Sequence, residues 1–138
     1  MIYLDSNVFI YPVISEEKTE RKASAAKKIL FRVAEGDLEA ATSSLTWDEL
    51  VWVVRKFLGI KAGLKEGEKL LEFPNLKILT IDEKVIKEAQ KIAKKYELKP
   101  RDAIHVGCVI KNNIKEIISD DPDFDRIKEV KRVKLERI

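Results

Sequence analysis

Acidic side chains follow two short apolar runs of this sequence. Asp5 comes directly after Ile2–Leu4. Three aspartates follow the segment 115–119, whose centre is the apolar pair Ile117 and Ile118: Asp120, Asp121 and Asp123. A carboxylate beside a hydrophobic run is costly to remove from water unless a cation neutralises it. Because each run is typical of a short buried strand, we expect these acids at strand ends, close to a cation.

Two more acids, Glu49 and Asp102, stand near the starts of predicted helices. Glu49 completes the pattern Thr46-x-x-Glu49, which is typical of a capping box, and Asp102 falls in a first helical turn, where the helix dipole favours a carboxylate. Asp5 could equally cap a helix, and the aspartates at 120–125 could form a turn held by Asx hydrogen bonds. Local structural roles and cation binding are therefore both open for these acids.

A cluster of carboxylates favours a particular kind of cation. Neighbouring acids raise one another's pKa unless a cation is present, and Mg²⁺ or Mn²⁺ prefers oxygen ligands. Zinc is not expected, because the chain has a single histidine, His105, and a single cysteine, Cys108. We interpret His105 as a hydrogen-bonded helix histidine rather than as a base. An all-carboxylate site indicates phosphoryl chemistry, in which one or two metal ions activate water.

Short apolar strands that alternate with helices would position these acids. Strands are predicted over 2–4, 38–44, 76–81 and 115–119, with a possible edge strand over 133–138. Helices are predicted over 6–13, 19–36, 46–59, 62–73, 83–98 and 101–112. This alternation predicts one domain, residues 1–138, with a three-layer α/β/α sandwich around a mostly parallel central sheet of four to five strands.

The predicted topology places most of the acids at one edge of the sheet. Ligands bind beyond the carboxyl ends of parallel strands. Asp5 and the aspartates at 120–123 follow strands directly, and Glu49 opens the helix after the second strand. Counting strands and helices does not place Asp102.

The bulk composition is that of a folded, helix-rich chain. Among 138 residues, 45% are hydrophobic, and 27 basic against 24 acidic side chains leave a net charge of +3. This mild charge permits an anionic partner without requiring one. A single cysteine excludes an intramolecular disulfide, and no leader segment or membrane-spanning run is evident. We therefore expect a cytoplasmic protein that does not enter a membrane.

Four segments occur in order along nearly the whole chain: YLDSNVFIY, SSLTWDEL, LKPRDAIHVGCVI and IISDDPDFDRI. Together they make the chain resemble the PIN-domain nucleases, in particular the small single-domain branch that includes the VapC-like toxins. The resemblance implies a Mg²⁺- or Mn²⁺-dependent ribonuclease. It implies that the catalytic, metal-binding acids are Asp5, Glu49, Asp102 and Asp121, with Asp123 as an auxiliary metal ligand.

Further residues could support such a site. Ser6, Asn7 and Ser119 stand beside the acids in sequence, and we expect them to hydrogen-bond the carboxylates or the waters around a metal ion. Lys99 and Arg101 are candidates to bind the flanking phosphates of an RNA substrate.

The same residues leave several functions open. The chain could be the toxin of a toxin–antitoxin pair, an RNA-processing or RNA-turnover protein without an antitoxin, or a non-catalytic RNA-binding module. The presence of all four acids argues against the last. An aspartyl-phosphate phosphatase is set aside, because that chemistry needs an acid two residues after the first, where this chain has Asn7.

The helix predicted over 46–58 carries apolar residues on two stripes. One stripe comprises Leu50, Val53 and Phe57, and the other comprises Trp47, Val51, Val54 and Leu58. A helix on the outside of a sandwich needs one apolar stripe, so the second would leave a patch exposed to water. We therefore expect a homodimer through this helix, with the segment 64–71 as a further part of the contact. An antitoxin helix is the alternative occupant.

Overall fold

A parallel sheet of five short strands runs through the middle of the computed structural model, which describes the backbone of residues 1–138 and every side chain except that of Lys18. The strands are β1 (Ile2–Leu4), β2 (Ala40–Ser43), β3 (Leu76–Leu79), β4 (Glu116–Ile118) and β5 (Lys131–Val133). Their spatial order is β3-β2-β1-β4-β5, and every neighbouring pair is parallel.

Helices cover both faces of this sheet. The described residues form α1 (Asn7–Ile14), α2 (Glu20–Ala34), α3 (Ser44–Leu58), α4 (Ile60–Leu71), α5 (Glu83–Tyr96) and α6 (Pro100–Lys111). Short 3-10 turns occupy Glu17–Thr19, Pro122–Arg126 and Leu135–Arg137. The predicted three-layer sandwich around a parallel sheet is confirmed. Of the helices described, none is long and apolar enough to cross a membrane.

Strand β1 contributes to two hydrophobic cores, because successive side chains of a strand point to opposite faces of the sheet. Tyr3 belongs to the core on the side of α5 and α6, where it joins Val106. Leu4 belongs to the opposite core, together with Val8 of α1 and Leu50 of α3. Both faces of β1 are buried, so the strand forms a rigid base for whatever follows it.

The direction in which the sheet grows reverses at β1. Strands β2 and β3 extend the sheet on one side of β1, and β4 and β5 extend it on the other. The backbone N–H of Asp5 donates to the carbonyl oxygen of Ile118 at 3.0 Å, which holds the ends of β1 and β4 side by side. The crevice beyond these two strand ends is where open parallel sheets bind ligands.

The prediction of an edge strand over 133–138 is wrong in position. The edge strand is β5, in which Val133 pairs with Ile118 of β4. Lys131 and Arg132 can belong to it because an edge strand has neighbours on one side only. Lys131 is exposed, and Arg132 forms an ion pair with Asp125 and donates to the carbonyl oxygen of Ser119. Residues Leu135–Arg137 turn away from the sheet, and Leu135 is buried in the core on the α1 side.

Helices α3 and α4 approach closely at two glycines of α4. A Cβ added to Gly67 would meet Nε1 of Trp47 and Cγ2 of Val51 at 2.7 Å, and one added to Gly63 would meet the carbonyl oxygen of Val51 at 2.9 Å. One of the predicted apolar stripes of α3 is therefore covered in part by α4 of the same chain. Most of the large apolar side chains that are more than half exposed lie on the second half of α3 and the first half of α4: Trp52, Phe57, Leu58, Ile60 and Leu64. Phe31 on α2 and Leu71 at the end of α4 are also more than half exposed.

Candidate metal centre

Asp5 leaves the carboxyl end of β1 and is almost completely buried. Its Oδ1 accepts a hydrogen bond from the backbone N–H of Ser6 at 2.8 Å. Its Oδ2 accepts from Oγ of Ser119 at 2.6 Å and from Nδ2 of Asn7 at 3.3 Å. Burial raises the pKa of Asp5, and the nearby His105 and the bond from Ser119 offset only part of that rise. The three residues predicted to support the site therefore all contact Asp5.

Glu49 reaches the site from α3, which begins at Ser44, two residues before the predicted start. The predicted capping box is wrong, because Thr46 lies inside the helix, where its hydroxyl oxygen is 2.7 Å from that of Thr42. The Glu49 side chain instead points to α6, and its Oε1 lies 2.5 Å from Nε2 of His105. Helix capping therefore does not explain the presence of Glu49 at this position.

Asp102 lies in the first turn of α6, the position that strand counting left open. Only residues 112–115 separate α6 from β4, so the helix runs back against the strands and begins at the edge where β4 ends. Burial, together with the charges of Asp121 and Asp5, raises the pKa of Asp102 to about 6. Asp102 therefore lies in the electrostatic field of the acids at the strand ends.

Asp120 is held by groups from two helices on the other side of the crevice. Its Oδ2 accepts from the hydroxyl of Tyr11 at 2.6 Å and from Nζ of Lys22 at 2.8 Å. Tyr11 belongs to α1 and Lys22 to α2. The charge of Asp120 is thus already neutralised, which separates it from its sequence neighbours.

Asp121 caps the 3-10 turn that follows β4. Its Oδ1 accepts from the backbone N–H of Asp123 at 2.9 Å, and its own N–H donates to Oγ of Ser119 at 3.0 Å. The predicted Asx turn is therefore present. The carboxylates of Asp121 and Asp123 are half-buried, and no described side chain forms an ion pair with either of them.

The acids form two adjoining groups among the described residues. Within each group the potential ligand atoms lie within 4.8 Å of one another: Asp5, Glu49 and His105 in the first, and Asp102, Asp121 and Asp123 in the second. The charges of Asp5 and Glu49 in the first group both raise the pKa of Asp102 in the second. The five acids that the sequence predicted as metal ligands are thus divided between these two groups, whose charges act on one another.

His105 has a place in this site that the sequence did not predict. It is fully buried, with Nδ1 2.6 Å from the hydroxyl oxygen of Tyr3 and Nε2 2.5 Å from Oε1 of Glu49, which confirms a hydrogen-bonded helix histidine. Burial lowers its pKa, but the bond to Glu49 and the charge of Asp5 outweigh burial, so that the net pKa is raised. The sequence feature that could have placed His105 in the site is its spacing, one helical turn after Asp102.

The donor set fits a hard divalent cation such as Mg²⁺ or Mn²⁺. It consists of carboxylate oxygens, since hydrogen bonds occupy both nitrogens of His105. In addition, Oδ1 of Asn7 is buried and has no hydrogen-bond partner among the described atoms. An unpaired buried acceptor is costly, and a water molecule around a cation would supply the missing donor.

The two basic residues predicted to contact RNA lie at the start of α6. Lys99 is exposed at the residue before the helix. A guanidinium nitrogen of Arg101 lies 3.6 Å from Oδ2 of Asp48, and both side chains are more than half exposed. An exposed ion pair of this kind contributes little stability, so Arg101 can exchange Asp48 for a phosphate.

Several solved structures have a similar fold. VapC20 from Mycobacterium tuberculosis, described as a sarcin-ricin loop cleaving toxin, matches with a TM-score of 0.73 at 13% identity, covering 94% of this chain and 97% of that chain. FitAcB from Neisseria gonorrhoeae matches with a TM-score of 0.73 at 20% identity, covering 100% of both chains. A chain of VapBC2 from Rickettsia felis, in a structure bound to a DNA fragment from its promoter, matches with a TM-score of 0.73 at 18% identity. The match covers 97% of this chain and 98% of that chain.

A sequence search of curated proteins found no match. The family model of the PIN domain matches residues 2–130, a range that includes all five acids of the candidate site. The resemblance seen in four separate sequence segments is thereby confirmed, and this chain belongs to the PIN domain family.

Proposed function

We propose that this protein is a Mg²⁺- or Mn²⁺-dependent ribonuclease that hydrolyses RNA phosphodiester bonds. Its catalytic, metal-binding acids would be Asp5, Glu49, Asp102 and Asp121, with Asp123 as an auxiliary ligand. The strongest support is the convergence of these carboxylates with no Lys or Arg among the described side chains paired to any of them. Such a cluster is tolerable at neutral pH when cations share it.

The residues of the site would have different roles in this reaction. The acids would hold one or two cations, which when bound supply a water of lowered pKa and positive charge beside the leaving oxygen. Ser6 and Ser119 orient the Asp5 carboxylate through the hydrogen bonds described above. Oδ1 of Asn7 would accept a hydrogen from water in the site, and Arg101 with Lys99 would bind flanking phosphates.

Neighbouring aspartates provide a matched test. In the presence of Mn²⁺, Asp5→Asn and Asp121→Asn should each lower cleavage of a mixed RNA pool by roughly 100-fold or more, because each removes a metal ligand. Asp120→Asn should cleave at nearly the wild-type rate, because Tyr11 and Lys22 already bind Asp120. Cleavage by the wild type in excess EDTA, or by folded Asp5→Asn, would refute the proposal.

We further propose that the protein is the toxin of a toxin–antitoxin pair and acts on RNA in the cytoplasm. The similarity in fold to chains of VapBC2 and FitAcB supports this reading. Expression of the wild type should arrest growth, Asp5→Asn should not, and co-expression of the protein encoded by an adjacent small reading frame should relieve the arrest. Cleavage without growth arrest would instead indicate RNA processing or turnover, and RNA binding without cleavage would indicate a non-catalytic module.

We propose, finally, that residues 1–138 act as one domain and form a homodimer through α3. Both hydrophobic cores pack on the same sheet, which favours one cooperative unit. The exposed apolar residues on the second half of α3 and the first half of α4 form one candidate contact surface. An antitoxin segment is the alternative occupant of this surface.

A further inference from the structure

A buried chain of hydrogen bonds leads from the sheet to Glu49. The hydroxyl of Tyr3 on β1 lies 2.8 Å from Oγ of Ser43 and 2.6 Å from Nδ1 of His105. Nε2 of His105 lies 2.5 Å from Oε1 of Glu49. Tyr3 and His105 are both fully buried, so water does not compete for these bonds. Side chains of β1, β2, α6 and α3 are thus joined in one line.

The hydrogen bond between His105 and Glu49 can run in one direction only. A carboxylate oxygen accepts hydrogen bonds, so Nε2 of His105 must carry the hydrogen. The hydroxyl of Tyr3 donates to Oγ of Ser43. With that bond in place, Nδ1 of His105 donates to the Tyr3 oxygen, so both ring nitrogens carry a hydrogen and the ring is an imidazolium. A neutral imidazole would accept from Tyr3 at Nδ1 once the Tyr3 hydroxyl turned away from Ser43, and it would still aim its Nε2–H at Glu49.

The other tautomer of His105 is excluded by its neighbours. It would place an unprotonated Nε2 against Oε1 of Glu49 and 3.5 Å from Oδ1 of Asp5, so that acceptors would face acceptors. The hydroxyl of Tyr3 therefore has a defined task, which is to hold the imidazole in the orientation that donates to Glu49.

We propose that His105, held by Tyr3, is a positioning residue that fixes the Glu49 carboxylate for cation binding, and this rests on the proposed function of Glu49 as a metal ligand. Glu49 has a flexible side chain that starts on a helix and is partly exposed, with 20% of its side chain accessible. The bond from His105 occupies Oε1, and among the described side chains no group hydrogen-bonds to Oε2. One oxygen is therefore held and the other is available to a cation.

Two rival roles for His105 do not agree with the contacts. A metal ligand needs a free ring nitrogen, and both nitrogens are occupied. A general base needs access to the substrate, and His105 is fully buried. A purely structural role remains, and it differs from positioning in what it predicts for metal affinity.

The test measures Mn²⁺ affinity by titration calorimetry on the full chain without RNA. His105→Met fills the space without a donor and should weaken Mn²⁺ binding roughly 10- to 100-fold. His105→Gln keeps an N–H donor and should recover part of that affinity. Tyr3→Phe keeps the ring, removes the hydroxyl and should weaken binding in the same direction. Thr46→Val, which breaks a buried bond elsewhere on α3, is the matched control and should leave Mn²⁺ affinity unchanged.

The outcomes separate this inference from the proposed function. Folded His105→Met or Tyr3→Phe that binds Mn²⁺ as tightly as the wild type would overturn the positioning role and leave the ribonuclease proposal intact. If His105→Met does not fold, as judged by thermal unfolding in EDTA, Tyr3→Phe decides. A wild type that binds no Mn²⁺ and cleaves no RNA would overturn the proposed function itself.

Discussion

Oγ of Ser119 donates to Oδ2 of Asp5 at 2.6 Å, across the ends of two neighbouring strands. The same hydroxyl oxygen accepts from the backbone N–H of Asp121 at 3.0 Å and from Nδ2 of Asn7 at 3.3 Å. One buried hydroxyl thus links two of the proposed metal-binding acids. Its removal tests whether their arrangement depends on β1 and β4 being locked together at the crevice.

Ser119→Ala should weaken Mn²⁺ binding roughly 10- to 100-fold, because Asp5 loses the bond that orients it. The same change should lower the free energy of unfolding by about 1–3 kcal/mol, because a buried carboxylate loses a donor. Calorimetric titration and urea unfolding measure the two effects. Ser24→Ala, on the exposed side of α2, is the control. Unchanged Mn²⁺ affinity in Ser119→Ala would contradict the prediction.

The metal-free protein should be more stable at pH 5 than at pH 7.5. The pKa of Asp102 is about 6 in the folded protein, against about 3.9 in an unfolded chain. Between these values the folded state binds more protons, so stability falls as the pH rises through that window. The raised pKa of Asp5 acts in the same direction. The lowered pKa values of Asp125 and Glu129 stabilise the folded state by the same amount at pH 5 and pH 7.5, because that contribution is lost only at lower pH, so these two groups do not affect the comparison.

Thermal unfolding midpoints in EDTA measure this pH dependence. Asp102→Asn should reduce the difference between pH 5 and pH 7.5, since its titration is gone. Mn²⁺ should stabilise the wild type more at pH 7.5 than at pH 5, because deprotonated carboxylates bind the metal. Greater stability of the metal-free wild type at pH 7.5 would show that the acids do not repel one another as described.

Gly67→Ala should destabilise the protein although alanine is the better helix former. The added Cβ would lie 2.7 Å from Nε1 of Trp47 and from Cγ2 of Val51, so α3 and α4 would have to move apart. Overpacking of this kind costs about 1–3 kcal/mol, against a gain of about 1 kcal/mol in helix propensity. Urea unfolding measures the balance, with Lys65→Ala on the exposed face of α4 as the control. A stabilised Gly67→Ala would mean that the two helices are not in close contact.

Phe57→Glu should convert a homodimer into a monomer of 15.9 kDa. Phe57 is 58% exposed on α3, and burying its replacement charge across a two-fold axis would cost more than the contact provides. Sedimentation equilibrium at tens of micromolar measures the mass. Gln90→Glu, an equal change of charge on an exposed site of α5, should remain dimeric. A monomeric wild type would contradict the homodimer and leave the apolar surface for an antitoxin.

The sequence by itself determined the layered architecture and one edge of the site. Strand and helix alternation is a local property, because short apolar runs and helical periods are set by which residues must be buried. Asp5 directly follows β1, and Asp121 comes soon after β4, so parallel pairing of these strands was enough to bring them to one crevice. The edge strand was predicted over 133–138 rather than at 131–133, because an edge strand can carry charged residues that do not alternate with apolar ones.

Only the tertiary structure decided which polar groups meet. Asp120 and Asp121 are adjacent in sequence, yet Tyr11 and Lys22 reach the first and leave the second facing the site. Glu49 fits a capping box in sequence, but the helix starts earlier and turns its side chain to α6. These choices depend on how helices α1, α2, α3 and α6 pack on the sheet. A hydrogen bond between residues distant in sequence has no local pattern, because packing alone brings its donor and acceptor together.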